Sequence, residues 1–208
     1  MGEIGIALAE YDRKDHFHQR AKREGYRSRA AYKLAEIQQS QRLMRPGQRI
    51  LDIGCWPGGW LQVASAAVGE TGRVVGVDRA AIDPPLSEAN VTALVGDIAE
   101  AAVVDAILNA LERPADVVLS DAAPKLTGIR AVDRANEEAL LEVIAARLPV
   151  LLRAGGVLLL KVLEGPEAQA VDRRIRARFE RARAIKTRAG RKGTTERYVF
   201  ASGYAGPA

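Results

Sequence analysis

From Ser28 onward the chain alternates between short apolar runs and stretches in which apolar residues recur every three or four positions. The first helical stretch, "SRAAYKLAEIQQSQ", opens at Ser28, a favourable N-cap type. One face of it collects Ala30, Lys33, Leu34, Ile37 and Gln41. Ala30, Leu34 and Ile37 seek a core, and Lys33 lies among them, although lysine is rarely buried without a partner. The plain explanation is a lysine at the edge of the stripe, with its ammonium reaching back to water.

Beyond "RPGQ" the runs and periodic stretches alternate. "RILDIG", "RVVGVD", "VTALVGD", "ADVVLSD" and "GGVLLLKVL" read as strands, with helices predicted over "GGWLQVASAAV", "EAAVVDAILNAL", "DRANEEALLEVIAARLPVLLR" and "PEAQAVDRRIRARF". "ARAIKTR" and "ERYVFASGY" read as two closing strands, and the "AGRKGTT" loop between them suits an antiparallel pair. Repeated strand–helix units with near-continuous apolar strands predict an α/β fold. Its parallel sheet is covered on both faces, with an antiparallel strand near the C-terminus. Pro149 falls inside the longest helical pattern and is expected to kink it.

Composition narrows the class. The chain has 208 residues, enough for one domain with a sizeable core. A single cysteine, Cys55, rules out an intrachain disulfide, and two histidines in a polar segment do not suggest a metal centre. No stretch is long and apolar enough to span a membrane. The opening "MGEIGIALAE" lacks the pattern of a secretory signal, and Ile6 stands where myristoylation needs Ser or Thr. A cytoplasmic monomer is the expectation.

The net charge of +5 is unevenly spread. Residues 11–29 hold seven Lys/Arg against three Asp/Glu, and residues 173–208 hold eleven against two. The intervening body is acidic. The division expected is a basic N-terminal arm over 1–27 and a single domain over 28–208. Basic ends of this kind suit a phosphate backbone. Arg20, Lys22, Arg23, Arg27, Arg188, Arg191 and Lys192 are the candidate phosphate-binding residues, with Tyr11, Phe17 and Tyr26 interleaved for stacking on bases. Solvated arginine-rich surface is the competing explanation.

The turn after the first strand, "LDIGCWPGGW", is glycine-rich but does not match the dinucleotide spacing G-x-G-x-x-G, and it has no P-loop lysine. Gly54 opens the turn, and Asp52 precedes it on the strand. Asp78 closes the second strand, where it can accept from ribose hydroxyls. Asp97 closes the third, where it can accept from an adenine amino group. Acids at three successive strand ends describe a cationic, adenosine-bearing ligand without phosphates. S-adenosylmethionine fits that description and NAD does not. Taken singly, each acid is also an ordinary turn or N-cap residue.

The landmarks "SRAAYKL", "PGGW", "SDAAP", "LLLKV" and "ERYVFA", in this order, resemble those of the FtsJ/RrmJ family of S-adenosylmethionine-dependent ribose 2′-O-methyltransferases. The resemblance runs from about Tyr11 to Tyr204. It implies a Rossmann-like methyltransferase fold with a mostly parallel seven-stranded sheet. It also implies cofactor contacts at Gly58, Trp60, Asp78, Asp97 and Asp121, and a catalytic set of Lys33, Asp121, Lys161 and Glu196. The implied substrate is RNA, first of all a uridine in the A-loop of 23S rRNA within the large ribosomal subunit or its precursor. A tRNA anticodon loop is the alternative target, and a non-catalytic ribosome assembly factor the alternative role. Two departures stand out. Cys55-Trp56 replaces a pair of small residues, which is expected to reshape the methionine pocket, and Lys125 stands where asparagine is common.

The same four residues are unusual on chemistry alone. Lys161 is the one charge in "VLLLKVL", Asp121 closes an apolar strand, and Glu196 opens the last one. Ligands of such sheets sit at the carboxyl ends of the parallel strands, the edge at which an antiparallel last strand begins. Lys33 then points into a polar site. A buried ion-pair network without chemistry is the competing explanation.

Overall fold

The computed structural model describes residues 20–21, 23–124, 127–162, 166–187 and 196–207. Lys22, Lys125, Arg188, Arg191 and Lys192, together with Tyr11 and Phe17, lie outside them. In chain order the elements are α1 (Ala30–Gln41), β1 (Arg49–Ile53), α2 (Gly59–Val68), β2 (Arg73–Asp78), β3 (Val91–Val95), α3 (Ala101–Leu111), β4 (Ala115–Ser120), α4 (Arg130–Leu151), β5 (Leu152–Val162), α5 (Pro166–Arg176), β6 (Phe179–Ile185) and β7 (Arg197–Tyr204).

The strands form one seven-stranded sheet in the order β3-β2-β1-β4-β5-β7-β6. The first five run parallel, and β7 inserts antiparallel between β5 and β6. The expected α/β architecture is present. Strand order reverses between β1 and β4, which pair from Ile50↔Val117 to Ile53↔Ser120. The carboxyl end of that junction is where open parallel sheets hold their ligands. One sheet face is covered by α3, α4 and α5 through Ile107, Leu111, Leu141, Ile144, Leu148 and Val171. The other is covered by α1 and α2 through Leu34, Ile37, Leu61, Ala64 and Val68.

Local departures from the sequence reading have physical reasons. The N-cap of α1 is Arg29, with no side-chain cap bond. Ser28 instead packs against Gly59 so closely that a Cβ there would strike its Oγ. Pro149 does lie inside α4, near its end. Phe179 is not the end of α5 but the start of β6, where its ring packs on Tyr204 at 5.1 Å. β3 is not covered on both faces, because it is an edge strand with Val95 63% exposed. The expected basic arm ends against the body: residues 20, 21 and 23 are helical, and Ala21 is buried. Among the described residues, no helix is long and apolar enough to cross a membrane.

Candidate active site

Lys33 does not reach back to water. It is only 7% exposed, and its Nζ lies 2.5 Å from Glu196 Oε1. The helix aims it inward because Ala31, Leu34 and Ile37 bury the adjoining face of α1. Lys161, near the end of β5, donates to the Asp121 backbone carbonyl and pairs with Asp121 Oδ1 at 3.1 Å. Asp121 follows β4, the neighbour of β5 in the sheet, and Glu196 precedes β7, the neighbour on its other side. Four residues from four parts of the chain thus form two opposed ion pairs at one sheet edge.

A fifth side chain joins them. Tyr198 is 1% exposed, and its hydroxyl donates to Asp121 Oδ1 at 2.7 Å. It accepts from Lys33 Nζ at 3.3 Å and lies 3.4 Å from Glu196 Oε1. Burial, first, and the two carboxylates push this phenol far above its ordinary pKa, so it stays protonated and acts as a donor. The sequence reading missed Tyr198. The available signal was its position two residues after Glu196 in a strand, which places both on one face.

Beside this cluster lies a cleft of about 740 Å³, a volume suited to a nucleoside-sized ligand. Gly54, Asp78, Asp97 and Asp121 line it, as the sequence reading placed them, together with Val77, Ile98 and Trp56. Both Asp78 oxygens are oriented by backbone N–H groups, Oδ2 by Trp56 at 3.0 Å and Oδ1 by Ala80 at 2.9 Å. Gly54 has φ +80°, and a Cβ there would stand 2.6 Å from Ala122 Cβ. Only glycine lets the loop after β4 approach the turn after β1 this closely.

Three candidates sit differently from expectation. Asp52 does not line the cleft. It is 1% exposed beneath it, and neither carboxylate oxygen has a hydrogen-bond partner. Burial, then the Asp121 and Asp78 carboxylates, holds it well above the usual carboxyl pKa. The Trp60 indole also turns away: it donates to the Ala30 carbonyl at 2.9 Å and packs on Tyr198 in the core. Gly58 is the N-cap of α2 and packs under Ile82 and Leu86. Trp56, expected to reshape a pocket, stands at the cleft with 58% of its surface exposed.

Of the described RNA-binding candidates, Arg23 is exposed. Arg20 pairs with Glu24 at 2.7 Å and lies over the Tyr32 ring, and Arg27 donates to the Pro85 carbonyl at 2.9 Å. Tyr26 is half-buried and packs edge-on against Tyr32 at 5.5 Å.

The model of the FtsJ-like methyltransferase family matches residues 26–204. The chain belongs to that family. Among its FtsJ-like relatives is the ribosomal RNA large subunit methyltransferase E of Acidithiobacillus ferrooxidans, 45% identical over 94% of this chain and 88% of the relative. The protein of the same name from Methanothermobacter thermautotrophicus is 40% identical over 93% and 92%. A solved ribosomal RNA methyltransferase from Plasmodium falciparum superposes with a TM-score of 0.75 at 26% identity, covering 88% of this chain and all of that one. Aeropyrum pernix fibrillarin, solved with S-adenosyl-L-methionine bound, shares the fold with a TM-score of 0.59 at 17% identity, over 85% of this chain and 75% of that one.

Proposed function

We propose that this FtsJ-like chain methylates a ribose 2′-hydroxyl of large-subunit ribosomal RNA, a uridine of the 23S A-loop, using S-adenosylmethionine. The observation that carries the reading is the pairing of Lys33 with Glu196 and of Lys161 with Asp121 around Tyr198, at the edge of an acid-lined cleft. The donor set fits the cofactor: Asp78 is oriented to accept from ribose hydroxyls, and Asp97 stands further along the cleft for an amino group. When bound, the cofactor supplies an electrophilic methyl group on a sulfonium.

The protein's own residues do the rest. Lys161 directs the acceptor hydroxyl and, once it is the neutral amine, is the candidate to take its proton, while Asp121 holds the Lys161 nitrogen through both its carbonyl and its carboxylate. Lys33 and Glu196 close the other side of the acceptor site. The basic arm over 1–27 and the basic C-terminal segment hold the RNA backbone, and the chain acts as a cytoplasmic monomer. The test is methyl transfer to large ribosomal particles under single-turnover conditions, with mapping of the modified ribose. Lys161→Ala should lose about 10²-fold in rate, the usual contribution of a positioned acid–base group, while still binding cofactor. Near-wild-type turnover by the folded variant would sink the assignment. Transfer to tRNA alone would redirect it to an anticodon loop, and cofactor binding without transfer to any RNA would favour an assembly factor.

A further inference from the structure

Arg79 follows Asp78 directly, and nothing in the proposed chemistry uses it. Its side chain is 80% exposed, yet it reaches across the cleft to Asp97 Oδ2. The other Asp97 oxygen accepts from the Ala99 backbone N–H at 2.9 Å. These contacts hold the Asp97 carboxyl below its ordinary pKa, the Ala99 bond first and the Arg79 bond next, so it is an ionised acceptor. Arg79 therefore spans the interval between the acid oriented for a ribose and the acid placed for an amino group. A purine attached to that ribose must occupy the same interval. Arg79 and Ile98 both line it, and Ile98 is buried in the cleft wall.

An exposed ion pair of this kind contributes little by itself, so electrostatics alone is a weak reason for the arrangement. A guanidinium, however, is planar. Its edge donates to carboxylates, and its faces remain available to stack on an aromatic ring. Each Asp97 oxygen keeps a second lone pair, so an amino group can be accepted without breaking the Arg79 bond. Resting on the proposed use of S-adenosylmethionine, we infer that Arg79 is a further cofactor-binding residue. The adenine lies between the Ile98 side chain and the face of the Arg79 guanidinium, while Arg79 keeps its edge on Asp97.

The experiment is calorimetric titration of the full chain with S-adenosylmethionine and with 5′-methylthioadenosine, for wild type, Arg79→Ala and Arg79→Lys. Arg79→Ala should weaken both ligands by about 3–30-fold, the range of a cation stacked on an aromatic face. Arg79→Lys keeps the charge but lacks the plane, so it should not restore affinity. Melting temperature without ligand should be the same in all three, since Arg79 is a surface residue. Unchanged or tighter binding by Arg79→Ala, or full rescue by Arg79→Lys, would overturn the stacking role. Failure of wild type to bind either ligand would instead overturn the cofactor assignment on which the inference rests.

Discussion

The Tyr198 hydroxyl connects two ion pairs, donating to Asp121 and accepting from Lys33. Tyr198→Phe keeps the ring against Trp60 and removes both hydrogen bonds, each to a charged group and of a kind worth about 1.5–3 kcal/mol. Single-turnover methylation should fall by roughly an order of magnitude. Cofactor affinity should hold, because Tyr198 does not line the cleft. Asp52 behaves oppositely. Its raised native pKa means the folded protein keeps this proton to higher pH than the unfolded chain does. The stability it contributes is full below the ordinary carboxyl pKa and is lost as pH rises through the raised native value. Asp52→Asn should therefore gain in melting temperature over wild type as pH rises from the ordinary carboxyl pKa toward the raised native value. A margin independent of pH would remove Asp52 as the titrating group.

Between elements, the decisive contact is that of the turn after β1 with the loop after β4. Gly54→Ala adds a Cβ 2.6 Å from that of Ala122 and strains a left-handed backbone by about 1–2 kcal/mol. The variant should lose at least about tenfold in cofactor affinity by calorimetry, a loss of ~1.4 kcal/mol, and melt at a lower temperature. Wild-type affinity would mean the two loops are free to separate. Most elements were legible because parallel strands buried on both faces write unbroken apolar runs, and a lone lysine in such a run is conspicuous. Lys161 was legible that way, and Lys33 as the charge on the apolar stripe of α1. Tyr198 was not, since a tyrosine in an apolar strand has the same pattern whether its hydroxyl is functional or merely buried. The family resemblance assigns Trp60 to the ligand, but only coordinates show an indole directed at the Ala30 carbonyl. The Arg79–Asp97 pair crosses from the end of β2 to the loop after β3, and no local spacing announces it.

Across the protein, an acidic body carries basic ends, and salt should govern RNA binding. Neutralising Lys22, Arg23, Arg188, Arg191 and Lys192 together should flatten the plot of log K against log salt by about 0.7–0.9 per lost phosphate contact. An unchanged slope would mean that the RNA backbone lies elsewhere. The ion pair between Lys33 and Glu196 joins positions 163 residues apart in sequence, and β7 must be seated between β5 and β6 before it can form. Such a contact closes late and opens early in terms of chain entropy, because almost all of the fold lies inside the loop it closes. A partly folded chain can therefore hold a formed β1–β2–β4 core and still lack half of its acceptor site. Loss of methyl transfer in denaturant should therefore precede global unfolding, and a nascent or misfolded chain is chemically silent toward the RNA around it.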